Sequence, residues 1–314
     1  MTGIQWIKNQ FNRPYLNRID LSKRILEIGP LNTPTIKKTD GNNVFYADIR
    51  STAELRIHYG DGYKNICEID YVIKDSYEES LKNTERFDYI VASHVLEHIP
   101  RLIYFFLDIA EVLKPKGKIC LAIPDKRFCH DRFRNSTSFA ECYDAYKKGQ
   151  EYYPVRILDF FMNLTLNDPI FLWRNQNNFD RLISSDEALF NVAMDRYEKA
   201  AAYEPVDYPV HYHVFTPESF LILLYNMTSF KLFPFHVKEF YYTKTYRSEF
   251  CAVLEFDNEL LNNNQKILIE KKYIIKLLKR NYDSLVFTNP WKMLNKMINL
   301  PYLLYRSFCK SSHG

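Results

Sequence analysis

The sequence predicts an α/β fold: a doubly wound, mixed seven-stranded sheet with a largely helical insertion after the fifth strand and a basic helical C-terminal tail. Three observations predict it. Short apolar segments rich in β-branched residues alternate with polar or amphipathic stretches through the first 125 residues. The alternation lapses between Asp125 and about His213. A helix-start signal and two further strand-like segments then restore it.

The five early strand segments are Arg24–Gly29 (RILEIG), Val44–Ile49 (VFYADI), Asp70–Ile73 (DYVI), Phe87–Ser93 (FDYIVAS) and Lys118–Ile123 (KICLAI). Strands apolar along their whole length and separated by helices belong to a parallel sheet covered on both faces. The clearest helix is Arg101–Leu113, closed by the stop signal Lys114–Gly117, KPKG. Right-handed crossovers make such a sheet doubly wound and place ligands at the carboxyl ends of its strands. After the lapse, Thr216 is expected as an N-cap, with Pro217 at the first helical position and Glu218 in the first turn. Lys231–Thr243 and Tyr246–Phe256 read as the last two strands. The expected organisation is a core of residues 1–125 and 214–258, an insertion over 126–213 capping the substrate, and a tail over 259–314.

Composition bounds the function. With 46% hydrophobic and 25% charged residues, the chain is an ordinary globular one. It has no run of about 18 apolar residues and no N-terminal secretion signal, so a cytoplasmic protein is expected. The six cysteines contain no C-x-x-C pair and are read as reduced thiols. The net charge of +4 is uneven: residues 261–314 hold ten Lys/Arg against Glu270 and Asp283, leaving 32 basic against 36 acidic elsewhere. A nucleic-acid partner would want a basic body, so none is expected. In the tail, Ile267/Ile274 and Leu268/Ile275 recur seven apart among lysines, and WKMLNKMINLPYLLYRSF continues in that style. A basic amphipathic helix results. It packs on the body or docks to an anionic membrane surface, such as the inner face of the cell membrane, or to an acidic partner.

Carboxylates mark the ligand end of the sheet. Glu27 lies near the end of the first strand and Gly29 directly follows it. Asp48 closes the second strand nineteen residues after Gly29, the place of the acid that holds a ribose diol in nucleotide-binding βαβ units. Asp75 follows the third strand. Each acid alone is more often a solvated loop carboxylate, but three at successive strand ends form a pattern. The turn ILEIGPLNTP has one glycine where a pyrophosphate cradle needs several. Pro30 and Pro34 also remove amide donors, so the turn argues against a dinucleotide or ATP and allows a nucleoside ligand without phosphate.

The segments ILEIGP, YADI, FDYIVASHVLEHIP and LKPKGKICLAIPD resemble, in order, the motifs of class I S-adenosylmethionine-dependent methyltransferases of Rossmann-like fold. SHVLEHI…LKPKGK resembles the small-molecule branch most closely, and PDKRFCHDRFR resembles a bacterial subgroup associated with surface-polysaccharide biosynthesis. The resemblance covers Arg24–Asp125 and, as the last helix and strands, Thr216–Phe256. It implies S-adenosyl-L-methionine as cofactor, with Glu27 and Gly29 at its amino-acid end, Asp48 at the ribose, Asp75 near the adenine, and Ser93 and His94 beside the sulfonium. The chain departs from the family's E-x-G-x-G-x-G at Pro30, Leu31 and Pro34.

Methyl transfer to a hydroxyl benefits from a general base. His94 and His211 are the candidate catalytic histidines, each with a structural hydrogen bond as the alternative, while His98 is expected to cap or pack. Asp125, at the end of the fifth strand, is a third candidate to bind or deprotonate an acceptor. His211 and His213 would share one face of an extended segment near Asp207, but two histidines fall short of a metal site, so no metal is expected. Arg127, Asp131, Arg132 and Arg134 form a dense charged run, either a solvated salt-bridged loop or a recognition site for an anionic acceptor. The expected function is methyl transfer to a hydroxyl or amine of a small polar acceptor, a sugar, nucleotide sugar or glycan. The alternative is a catalytically silent cofactor-binding scaffold in a polysaccharide pathway.

Overall fold

The computed structural model describes residues 13–38, 41–60, 63, 65–149, 153–165, 168–174, 187–202 and 210–288, without the side chains of 187–188 and 281–288. Seven strands form one sheet: β1 (Ile25–Ile28), β2 (Val44–Asp48), β3 (Tyr71–Val72), β4 (Phe87–Ser93), β5 (Leu113–Pro124), β6 (Phe235–Tyr241) and β7 (Glu249–Phe256). Their order is β3-β2-β1-β4-β5-β7-β6. β1 to β5 are parallel, and β7 runs antiparallel to both β5 and β6. The mixed, doubly wound, Rossmann-like sheet expected from the alternation is therefore present.

Central burial explains the composition of the strands. All four residues of β1 are buried, and its neighbours hold it in register, with Glu27 opposite Tyr46 and Val91. One face carries the main core, where Leu26, Ile90, Ile119, Leu121 and Phe250 meet the helices α3 (Leu102–Glu111) and α8 (Pro217–Ser229). The other face packs Ile25, Val91, Cys120 and Val253 under Tyr15 and Ile19, from a 3-10 turn and its exit. Among the described residues, an N-terminal segment thus covers much of this face.

Local signals set the helix starts. In α1 (Thr52–Tyr59), the N-cap Ser51 and Glu54 exchange reciprocal bonds in a capping box. Thr216 caps α8 with Pro217 at its start and Glu218 in its first turn, as expected, and Ser219 completes a capping box. Lys114–Gly117 differs from expectation. It is a bulge inside β5, because Leu113 already pairs with Phe87 and the ladder resumes at Lys118 opposite Tyr89. Lys116 adopts φ +63°, and a Cβ on Gly117 would lie 2.8 Å from the Lys114 carbonyl, so the glycine lets the extra residues fold back.

The insertion is helical: α4 (Phe139–Lys148), α5 (Pro154–Met162), α6 (Pro169–Arg174) and α7 (Glu187–Ala201) follow β5. It has its own small core, with Ile157, Phe160 and Phe161 against Ala193, Val210 and Tyr212. α2 (Tyr77–Leu81) docks through the Tyr77 and Glu78 amides on the Asp108 carboxylate.

The helix α9 (Asn264–Thr288) begins the basic tail and joins the main core through Ile274 and Leu277. Residues 289–314, with the WKMLNKM segment, lie outside the described residues. Buried Glu270 fastens α9 to β6, accepting from the Val237 amide at 2.8 Å and meeting His236 Nδ1 at 2.7 Å. His236 Nε2 meets Asp257 at 3.0 Å. The bond to Glu270 raises the His236 pKa, outweighing burial, and Asp257 adds to the rise. A pKa raised on folding contributes stability that is complete below the unfolded value and lost as pH climbs through the folded one. Resistance to urea is therefore expected to decline as pH rises above the ordinary imidazole range, with His236→Gln removing its share of that slope. Equal slopes in the two proteins would refute the coupling.

Candidate active site

The strand order reverses between β1 and β4, so the chain leaves these two neighbours in opposite directions and a crevice opens at their carboxyl ends. A cleft of about 380 Å³ occupies it, walled by Gly29, Pro30 and Leu31 after β1, Ser93 and His94 at β4, and Arg247 to Glu249 at β7. Arg13, Glu27, Thr33 and Thr35 complete the wall.

Gly29 has φ +63°, and a Cβ there would lie 3.2 Å from Val95 Cγ2, so both backbone and space ask for glycine. Glu27 is 2% exposed. Its two oxygens accept from the Thr35 amide at 2.5 Å and the Ile36 amide at 2.9 Å. Burial raises its pKa against those bonds. In this structure Glu27 ties down the 30–36 loop, whereas the sequence reading gave its carboxylate to a ligand. Asp48 ends β2, and one of its oxygens accepts from the Arg50 amide at 3.1 Å. It is half-buried, and that burial raises its pKa. Asp75 is exposed beyond β3. The β3-β2-β1-β4 order therefore puts Asp75, Asp48, Gly29 and His94 in sequence along the strand ends.

His94 adopts φ +53° and is 41% exposed at the cleft wall. Its Nε2 lies 2.7 Å from Glu249 Oε2, and its Nδ1 lies 3.5 Å from Glu97 Oε1. Desolvation lowers its pKa, but the two carboxylates prevail and hold it at about 9. Glu249 is depressed to about 2 because His94 and Arg13 overcome its burial. Arg13 grips Glu249 at 3.0 and 3.2 Å and reaches Thr35 Oγ1 at 3.0 Å. Ser93 Oγ lies 3.0 Å from that hydroxyl and 3.1 Å from the Tyr15 hydroxyl. The sequence reading missed Arg13, Tyr15, Thr35 and Glu249. A single charge opening the apolar β7 segment was the one signal present.

The remaining candidates sit elsewhere. Asp125 is fully buried and accepts from Arg127 Nε and Nη2 and from Thr243 Oγ1, the last at 2.6 Å. It closes a structural knot at the end of β5 and is not placed to take a proton from an acceptor. Arg134 is also fully buried, bonding Asp159 and Asp131 at 2.8 Å each and the Arg156 carbonyl at 3.3 Å. The run read as a solvated or substrate-facing cluster is thus partly interior; Arg127 keeps a 38% exposed side chain. His211 does not line the cleft: it is buried, its Nδ1 2.5 Å from Asp131. His213 Nε2 instead meets the Pro100 carbonyl at 3.2 Å, so the two histidines bond different partners, and Asp207 lies outside the described residues.

Residues 9–162, just under half of the chain, match a family model described as a methyltransferase domain. No curated protein matches the sequence. Among solved structures, human N-acetylserotonin methyltransferase in complex with SAM is 12% identical, with a TM-score of 0.38 over 81% of this chain and 54% of that one. The trans-methyltransferase CalH in complex with SAH is 22% identical, with a TM-score of 0.25 over 34% of each chain. A Rhodobacter sphaeroides protein described as a Zn-dependent alcohol dehydrogenase is 10% identical, with a TM-score of 0.43 over 79% of this chain and 90% of that one. The chain spans less than two thirds of the length of either methyltransferase.

Proposed function

We propose that this chain, whose residues 9–162 match a methyltransferase domain, binds S-adenosylmethionine and transfers its methyl group to a hydroxyl or amine of a small polar acceptor. The acceptor class is a sugar, nucleotide sugar or glycan, as in surface-polysaccharide assembly. The observation that carries this reading is the polar cleft at the strand reversal, lined by Gly29, Ser93 and His94, with Asp48 at the end of the adjacent strand β2.

The cofactor supplies a methyl group already activated on a sulfonium, so the protein's work is positioning and exclusion of water. Asp48 would accept from the ribose hydroxyls, Asp75 from the adenine amine, and the Gly29 backbone would let the amino-acid end approach. His94, a cation at neutral pH with its ring nitrogens turned to Glu249 and Glu97, would place its positive charge at the cleft wall and orient an acceptor electrostatically. The Arg13, Thr33, Thr35 and Ser93 lining suits a hydroxyl-rich acceptor better than an apolar one. Arg127, bonded to Asp125 with its side chain 38% exposed, keeps a face open to an anionic group. The exposed Lys272, Lys276 and Lys279 of α9 support a contact with an anionic surface or acidic partner. No helix among the described residues is long and apolar enough to cross a membrane.

One observation favours the silent-scaffold alternative: both Glu27 oxygens are already bonded to the 30–36 loop. The deciding experiment incubates the chain with methyl-labelled S-adenosylmethionine and a panel of sugars, nucleotide sugars and glycans. Label in a polar acceptor is expected. Binding of S-adenosylhomocysteine with no transfer to any acceptor would leave the scaffold.

A further inference from the structure

Behind the cleft wall lies a second cluster that the methyl-transfer geometry does not use. Glu97, His98 and His211 place one potential ligand atom each within 4.8 Å of one another. Glu97 and His98 come from the 3-10 turn after β4, and His211 from the segment that leaves the insertion. The two rings pack edge to face with centroids 4.7 Å apart.

Glu97 needs explaining. It is 1% exposed, and neither carboxylate oxygen has a hydrogen-bond partner. Its nearest cation, His94 Nδ1, stands 3.5 Å away, at the limit of a hydrogen bond. A buried carboxylate without hydrogen bonds is costly, and such groups are normally paired or bound to metal.

The histidines are prepared for the same partner. His98 Nδ1 lies 3.0 Å from the Val210 carbonyl, which can only accept, so the proton sits on Nδ1 and the Nε2 lone pair is available. His211 Nδ1 is held in the same way by Asp131, which also accepts from Arg134. An imidazole whose second nitrogen donates to a carbonyl or carboxylate is the usual outer arrangement around a bound metal. Donor atoms sharing one ion at about 2.0–2.2 Å stand about 3–3.5 Å apart, so shifts of about an ångström would close this set.

We propose that Glu97, His98 and His211 bind one divalent transition-metal cation through a carboxylate oxygen and two Nε2 atoms, with Asp131 and the Val210 carbonyl as outer partners. Two imidazoles and one carboxylate suit zinc, manganese or ferrous iron and leave coordination positions open. The neighbouring trio His130, Asp131 and His211 is the competing set. There Asp131 is already engaged by Arg134 and His211, which makes it an outer partner. Glu97 adjoins His94 of the cleft wall, so the ion would stand beside the acceptor's place and could polarise its hydroxyl. That role rests on the methyl-transfer reading; the binding does not.

The test uses the full chain, stripped with a chelator and dialysed against zinc, with bound metal counted by elemental analysis and Co²⁺ absorption as a second probe. One equivalent per chain is expected, together with a zinc-dependent rise in melting temperature. Glu97→Gln and His98→Gln should each weaken zinc binding at least tenfold and abolish the rise. Asp131→Asn should weaken it about 10- to 100-fold, and His130→Gln should leave it unchanged. Absence of stoichiometric zinc and of cobalt bands in the wild type overturns the proposal. So does a loss in His130→Gln equal to that in Glu97→Gln. S-adenosylhomocysteine binding, measured on the same samples, reports on the cofactor site separately.

Discussion

Replacing Arg134 with methionine is expected to destabilise the protein by about 3–5 kcal/mol, the cost of removing one partner from a buried ion pair. Among the described residues Arg134 is one of the largest side chains wholly withdrawn from solvent, and its guanidinium serves three acceptors on two segments. Its Cζ also stands 5.4 Å from the Phe160 ring, so the charge joins the insertion's core as well as its carboxylates. Methionine fills similar volume but leaves buried Asp131 and half-buried Asp159 each short of a donor. Lysine keeps the charge yet cannot reproduce the fork, so Arg134→Lys should recover only part of the loss. Urea unfolding monitored by circular dichroism measures both. The crevice proposed for the cofactor lies at the carboxyl ends of β1 and β4, away from Arg134, so folded Arg134→Met should still bind S-adenosylhomocysteine while the insertion becomes more sensitive to protease. A loss below about 1 kcal/mol, ordinary for a surface substitution, would remove Arg134 from this structural role.

Arg134 also shows where reading the sequence stops. In KRFCHDRFR the density of charge suggests a solvated face, and nothing local says that Asp159, 25 residues on, will bury it. The strands were legible because central burial forces whole runs of apolar residues, and the place of Asp48 at the end of β2 was legible from the same pattern. Arg13 and Glu249 are 236 residues apart, and no spacing rule links them. The roles of the histidines depend likewise on distant partners: His94 on Glu249, His98 on Val210 and His211 on Asp131. The KPKG segment misled because lysine, proline and glycine suit a bulge and a helix stop equally well. Only the pairing of Leu113 with Phe87 separates the two.

Asp48→Ala is expected to weaken S-adenosylhomocysteine binding by about 10- to 100-fold, the effect of losing hydrogen bonds to a charged acceptor worth about 1.5–3 kcal/mol. Asp48 is the last residue of β2, opposite Val72 of β3, and alanine leaves that pairing intact. Its carboxylate is half-buried with a raised pKa, so the empty protein bears a desolvation cost that a ligand's hydroxyls would offset. Removing the group should therefore leave the melting temperature of the free protein level or slightly higher while binding falls. A purely structural aspartate would lower both. Asp48→Asn, which keeps one acceptor oxygen but no charge, should lie between wild type and alanine. Asp75→Ala, at an exposed position, should cost a few-fold at most. Titration calorimetry on the four proteins ranks them. Wild-type affinity in Asp48→Ala would place the ribose elsewhere along the strand ends and leave Asp48 as a loop-capping residue for Arg50.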